Sequence, residues 1–313
     1  GRNGQTLVRS VAGSGEDLLN SWINLIDPSE EEMERIAQEW ELPLDFFHDA
    51  LDANERPRAE KEENALLLIF KMPFKDIENK KLPYGTVPFG MILTANVIIT
   101  ICKTDHPVLH KFVESYHKNF AEAQPVPLAT ELLLCTARYY LRYLNEVDQA
   151  IDAAENVVQT SMHNDDFYTL LYLNKSLVLF TTAVRGNMAV IHKLLRPNYL
   201  DFAGEDIDND KDLLRDVLIE MQQAQDTAEI YSSTVNNMMD AYAGVIQNNI
   251  NTALKILTSF TVILSVPTMV ATIYGMNVPL PMQTQPWAFW ALMGGSFVVS
   301  LWLAKIFMKK RWI

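Results

Sequence analysis

Between Asn251 and Asn277 the sequence reads NTALKILTSFTVILSVPTMVATIYGMN, and its hydroxyl side chains are regularly spaced. Thr258, Thr261, Ser265, Thr268 and Thr272 follow one another at steps of three, four, three and four, which puts five hydroxyls on one face of a helix. The opposite side carries Ile256, Phe260, Ile263, Val270 and Ile273. From Ile256 to Ile273 eighteen residues bear no formal charge, about the length a helix needs to cross a bilayer. A membrane helix with a hydroxyl stripe either packs against other helices or lines a wet path. Hydroxyls bonded to their own backbone are the plainer alternative. The run ends in Tyr274, Gly275, Met276 and Asn277. There Gly275 is expected to let the backbone turn and expose its carbonyl, and Asn277 to add a neutral amide oxygen.

Two elements must hold that stretch in place. Upstream, from about Lys211 to Ile273, only Gly244 and Pro267 interrupt, so the sequence predicts one continuous helix. At about 63 residues it spans roughly 95 Å, too long for the interior of one small domain, and so reads as a stalk into the membrane. Downstream, Trp287 to about Met308 predicts a second span, with Trp287 and Trp290 at one interface and Trp302, Lys305 and Lys309-Lys310-Arg311 at the other. Lys305 can snorkel outward. The basic end belongs in the cytoplasm, Lys255 at the start of the first span agrees, and residues 275–286 become the outer loop. Two spans return the N-terminal part to the cytoplasm as well, so both termini are expected there, in a cell (inner or plasma) membrane; no signal-peptide pattern is visible.

The soluble part is acidic. All 39 acidic residues lie at or before Asp240, and only five of the 26 basic ones come later, which argues against nucleic acid as a partner and could concentrate cations. At 49% apolar residues the chain is ordinary for a globular protein, so its membrane content is local. Cys102 and Cys135 have no paired spacing and read as free thiols. His106, His110 and His117 lack a nearby Cys or Glu to complete a zinc geometry, and no enzyme pattern or Walker motif stands out.

Along residues 1–125 the sequence predicts an α/β domain with strands at Thr6–Val11, Ser21–Leu25, Ala65–Met72, Val87–Leu93 and Val97–Cys102. Asp27-Pro28-Ser29-Glu30 predicts a helix capped by Asp27 and running to about Trp40, followed by helices over Leu42–Leu51 and Pro107–Phe120. Residues 126–250 predict a helical domain and stalk, with helices from Leu128 to about Ser161 and over Asp165–Leu195 before Pro197. Residues 251–313 form the transmembrane part, with spans near 254–274 and 287–308. The run Asp206, Asp208, Asp210 and Asp212 reads as a solvated helix start.

The Gly275-Met276-Asn277 triplet, placed after a membrane-length helix and one short loop before a second, resembles the signature of the CorA family of divalent-cation transporters. The basic tail Met308 to Ile313 and the stretch Arg56-Pro57-Arg58 leading into a strand ending Lys71-Met72 extend the likeness over most of the chain. The resemblance implies a homopentameric funnel conducting magnesium passively. Gly275, Met276 and Asn277 would be its selectivity filter, and Asn251, Leu254, Leu257, Thr258, Thr261, Ser265, Thr268 and Thr272 would line the pore. Leu254 and Leu257 would form a dewetting gate. The resemblance also implies regulatory magnesium between Asp76 and Asp216 of neighbouring subunits. Membrane lipids and divalent cations are the other partners. Two departures stand out. Val278–Pro286 lacks the family's acidic outer-loop residues, and Ser265 stands where a bulky apolar residue is common. Other divalent ions (cobalt, nickel or zinc, with or without protons), or a membrane-tethered scaffold or sensor, are the rival functions.

Overall fold

The computed structural model describes residues 21–62, 65–76, 78–79, 81–95, 97–116, 124–160, 164–197, 199–200, 207–282 and 284–312. The strand expected at Thr6–Val11 lies outside them. The chain divides into two compact units, residues 1–239 and 240–313.

The first unit is built on strands β1 (Ser21–Ile26), β2 (Arg58–Glu62), β3 (Ala65–Lys75), β4 (Tyr84–Leu93) and β5 (Val97–Cys102), in the sheet order β1-β5-β4-β3-β2. β1 pairs with β5 in parallel and the other neighbours are antiparallel. β3 is apolar at nearly every position because both its faces are covered. Leu66, Leu68, Phe70 and Met72 point to one core, and Leu67 and Ile69 to another. The second core is closed by helices α1 (Glu30–Glu39) and α2 (Asp45–Leu51) through Met33, Ile36, Phe46 and Phe47. Ala50 on α2 packs straight onto β4 at Gly90, where a Cβ would sit 2.3 Å from the Ala50 Cβ.

The first core is closed by helices α3 (Pro107–Tyr116), α4 (Pro125–Thr160), α5 (Asn164–Leu194) and the first part of α6 (Ile207–Tyr274). On α6 the buried residues Leu214, Val217, Met221, Ala224, Ala228 and Val235 keep a three-four spacing, the seam of a helix packed along its length. Three polar links tie α5 to it: Arg185 to Glu229 at 3.3 Å, Ser232 to Asn174 at 2.8 Å and Asn174 to Asn236 at 3.0 Å.

Three expectations are corrected. The cap of α1 is Ser29, which accepts from the Glu32 amide while Glu32 accepts from the Ser29 amide; Asp27 sits at a positive φ of 49°. A strand, β2, forms where none was expected. It is the sheet edge, and its charged sequence Arg58-Ala59-Glu60-Lys61-Glu62 suits an edge that must not recruit another strand. Asp210 is 3% exposed rather than solvated. Asp206 and the side chain of Asp208 lie outside the described residues, and Asp212 is exposed and paired with Arg215.

β2 begins opposite Ile69, so on that edge of β3 the next outward-facing residue, Lys71, has no strand partner. The fully buried amide of Asn187 on α5 takes that place: its Oδ1 accepts from the Lys71 N–H and its Nδ2 donates to the Lys71 carbonyl, both at 2.9 Å. Tyr140 donates to the same carbonyl at 2.8 Å. Beside it, Gly186 lets Pro57 of the Arg56-Pro57-Arg58 stretch approach; a Cβ there would lie 2.7 Å from the proline ring. Lys193 reaches further along β2 to the Ala59 carbonyl.

Candidate ion path in the second unit

The second unit contains the C-terminal part of α6 and the helix α7 (Ala288–Lys309). Among the described residues three helices are long and apolar enough to cross a membrane. One of them, Phe167–Leu194, has 39% of its apolar window buried and forms part of the first core, whereas the windows on α6 and α7 are 6% and 11% buried. The last two are left with apolar surface that only lipid or other helices can cover.

Pro267 sits inside α6 and has no N–H to give, so the carbonyl of Ile263 loses its helical donor. The Ser300 hydroxyl on α7 donates to that carbonyl at 3.0 Å. A neighbouring helix thereby satisfies a backbone group that lipid could not. The residues buried along the apolar parts of these two helices are small: Ser259 on α6, and Ala288, Ser296 and Ser300 on α7. Small residues let helix backbones approach where no hydrophobic drive operates.

This contact fixes which way the hydroxyl stripe faces. Ile263, Val266, Val270 and Tyr274 are half-buried on the side that meets α7. Thr258, Thr261, Ser265, Thr268 and Thr272 lie about half a turn away and are all exposed. Asn251, Leu254 and Leu257 continue the same exposed side toward the start of the span, with Leu254 at 53% and Leu257 at 63%. Of the apolar residues expected on the opposite side, Ile263 and Val270 are half-buried, and Ile256, Phe260 and Ile273 are exposed.

Four of the five hydroxyls donate to their own helix: Thr261 to Leu257, Ser265 to Val262, Thr268 to Leu264 and Thr272 to Thr268, at 2.8 to 2.9 Å. The donor hydrogens are therefore turned inward, and the oxygen lone pairs are left on the exposed side. The stripe presents acceptors.

At the end of α6 the Gly275 amide donates to the Ala271 carbonyl at 2.9 Å, and the Met276 amide to the Ile273 carbonyl at 3.2 Å. The helix gives way to a turn at Gly275, whose φ stays out of the left-handed region. What matters is the missing Cβ, which would press on the Ala271 carbonyl at 3.2 Å. Met276 is 51% exposed, and Gly275 and Asn277 are exposed beside it. Tyr274 ties the following loop back by donating to the Pro281 carbonyl at 3.1 Å, a role the spacing did not suggest.

The other expected site residues are in the first unit. Asp76 directly follows β3 and organises the loop: Oδ1 accepts from the amides of Glu78 and Asn79, each at 3.1 Å. Asp216 is exposed on α6 between the buried Leu214 and Val217. The resemblance sets these two acids across a subunit boundary, which a single chain does not contain. Among the described residues no three His, Cys, Asp or Glu side chains gather to hold a metal. His106 is buried, and its Nδ1 accepts from the Val108 amide at 3.2 Å, capping α3. His110 pairs instead with Asp105 at 2.8 Å, and His117 lies outside the described residues. Burial pushes the His106 pKa down to about 4, against weaker pulls from the Pro73 carbonyl and the Asp105 carboxylate. Cys102 and Cys135 are free thiols, and burial pushes Cys135 up to about 11.

A model of the CorA-like Mg2+ transporter family matches residues 19–311. The chain belongs to that family. It is 28% identical over 306 residues to the cobalt/magnesium transport protein CorA of Methanocaldococcus jannaschii, covering 96% of this chain and 93% of the relative. It is 23% identical over 313 residues to the cobalt/magnesium transport protein CorA of Thermotoga maritima, covering 98% of this chain and 88% of that one. The complete structure of the CorA magnesium transporter from Methanocaldococcus jannaschii superposes with a TM-score of 0.82 at 26% identity, over 93% of this chain and 91% of that one. The full-length CmaX protein shares the fold, with a TM-score of 0.63 at 16% identity, over 93% of this chain and 88% of that one.

Proposed function

We propose that this chain transports divalent cations, magnesium first among them, as the pore-forming subunit of a homo-oligomer in the cell membrane. The observation that carries the reading is the placement of the hydroxyl stripe opposite the α7 contact, on a membrane-length helix ending in Gly275-Met276-Asn277. One helix cannot enclose a path, so copies of α6 must surround an axis, and the face not used by α7 is the one free to line it. The family resemblance puts five copies there.

The acceptor character of the stripe suits a hydrated dication. Water bound to magnesium coordinates through oxygen and directs its hydrogens outward, and magnesium gives up that water reluctantly. Thr261, Ser265, Thr268 and Thr272 present oxygen lone pairs to such hydrogens. So do the carbonyl and amide oxygens of Gly275 and Asn277, at a helix end that carries about half a negative charge. Ser265 keeps the middle of this path polar where a bulky apolar residue would dry it. Leu254 and Leu257 place rings of apolar side chains near the cytoplasmic end, where dewetting can close the path.

An inside-negative potential supplies about 2.3 kcal/mol per charge per 100 mV, so transport needs no nucleotide. Regulation by the ion itself would use Asp76 and Asp216: Asp76 Oδ1 is occupied by its loop, which leaves Oδ2 for a dication shared with the neighbouring subunit's copy of Asp216. Cobalt is the first competing ion, since two of the relatives carry both metals in their names. The test is flux into proteoliposomes. Asn277→Ala should abolish magnesium entry while the protein stays folded, and wild-type flux should not need a pH gradient. Unchanged flux in Asn277→Ala would remove the filter assignment, and zinc entry driven by a pH gradient in place of magnesium would replace the ion.

A further inference from the structure

No Asp or Glu follows Asp240, so every positive charge beyond it needs a partner from elsewhere. The bond between Ser300 and the Ile263 carbonyl sets Lys255 of α6 level with the end of α7, where Lys305, Lys309, Lys310 and Arg311 stand. All five are exposed, and among the described residues none of them has an ion-pair partner. Lys305 and Lys309 are one turn apart, on the side of α7 turned away from Ser296 and Ser300, so they look outward from the helix pair. Trp302, on the preceding turn, is 62% exposed and supplies the amphipathic ring that settles at headgroup depth.

The end of α7 is built rather than frayed. The Trp312 amide donates to the Phe307 carbonyl at 3.0 Å and the Arg311 amide to the Met308 carbonyl at 3.1 Å. With Arg311 at φ 55°, this is a Schellman motif. The left-handed position that glycine usually fills is held by an arginine, and the motif's apolar contact is Trp312 stacked on Phe307, centroids 5.6 Å apart and 8° from parallel. That fold-back keeps Lys310 and Arg311 at the boundary of the apolar span beside Lys305 and Lys309.

We propose that this basic, Trp-bordered end of the helix pair is a docking surface for anionic phospholipid headgroups. The charge, the outward direction of Lys305 and Lys309, and the position at the end of an apolar span all match a leaflet rich in phosphate, and cationic residues at such a boundary attract anionic lipid. The proposal rests on α6 and α7 spanning the bilayer.

The test uses the full chain in phosphatidylcholine vesicles doped with spin-labelled phosphatidylglycerol or spin-labelled phosphatidylcholine, read as the immobilised fraction of each lipid. Phosphatidylglycerol should be preferred, by about fivefold for each cation engaged. The preference should shrink as salt rises. It should be lost in the combined Lys255→Gln, Lys305→Gln, Lys309→Gln, Lys310→Gln, Arg311→Gln variant and kept in Lys255→Arg, Lys305→Arg, Lys309→Arg, Lys310→Arg. Inorganic phosphate at the same total concentration should leave it intact. Equal immobilisation of the two lipids by the wild-type chain, a preference retained by the neutralised variant, or displacement by inorganic phosphate would overturn the proposal. A chain that enters neither bilayer would take the spanning reading down with it, whereas entry with no preference removes this proposal alone.

Discussion

Replacing Asn187 tests how the helical layer holds the sheet. Its amide makes two bonds of 2.9 Å to the backbone N–H and carbonyl of Lys71 on β3, between the fully buried Phe70 and Met72. In Asn187→Ala the Lys71 carbonyl still receives the Tyr140 hydroxyl at 2.8 Å, but the Lys71 N–H loses its partner. An orphaned buried donor costs about 1–3 kcal/mol, and the void left by the side chain adds to that, so a loss of about 2–4 kcal/mol is expected. Tyr140→Phe removes one of two bonds to a carbonyl that keeps the other, and should cost about 1 kcal/mol. The double variant should lose more than the sum, because only then is the carbonyl stripped of both donors. Denaturation of the full chain in detergent gives the energies, and hydrogen exchange of the β3 peptide reports the Lys71 amide directly. An Asn187→Ala variant as stable as wild type, or one less affected than Tyr140→Phe, would mean that the Asn187 amide does not hold the sheet.

His106 should make the first unit acid-sensitive. Its folded pKa of about 4 lies below the ordinary 6.5, so the unfolded chain takes up the proton first. The stability it contributes is complete above about pH 6.5 and is lost as the pH falls toward 4, about 3 kcal/mol in all. Protonation also removes the Nδ1 acceptor from the Val108 amide. His106→Asn can keep a cap and cannot titrate, so its stability should fall less than that of wild type between those pH values, as read by denaturation at each pH. In the second unit, Ser300→Ala leaves the Ile263 carbonyl without a donor beside Pro267. A loss of about 1 kcal/mol is expected, measured by thermal inactivation in lipid, and Ser300→Thr should restore it.

The site was more legible than the connections that hold it. The hydroxyl stripe follows from spacing alone, because period fixes which residues share a helix face. Which way that face points did not, since it depends on the meeting of Pro267 and Ser300 across 37 residues between Ile263 and Ser300. The same holds for Asn187 and Lys71, 116 residues apart. β2 was hidden for another reason: an edge strand carries charge to avoid pairing, and charge is what strand patterns are told apart by. The α1 cap was readable, because Ser29 and Glu32 make the reciprocal pattern; Asp27 only stood earlier in the sequence.

The side of α6 opposite α7 should face water and ions. Cysteine accessibility in proteoliposomes tests it most directly, in a chain whose Cys102 and Cys135 have been replaced. A cationic thiosulfonate reagent should block magnesium flux in Thr261→Cys, Ser265→Cys, Thr268→Cys and Thr272→Cys, and spare Ile263→Cys and Val270→Cys. Block at Ile263 and Val270 with the hydroxyl positions silent would contradict the account.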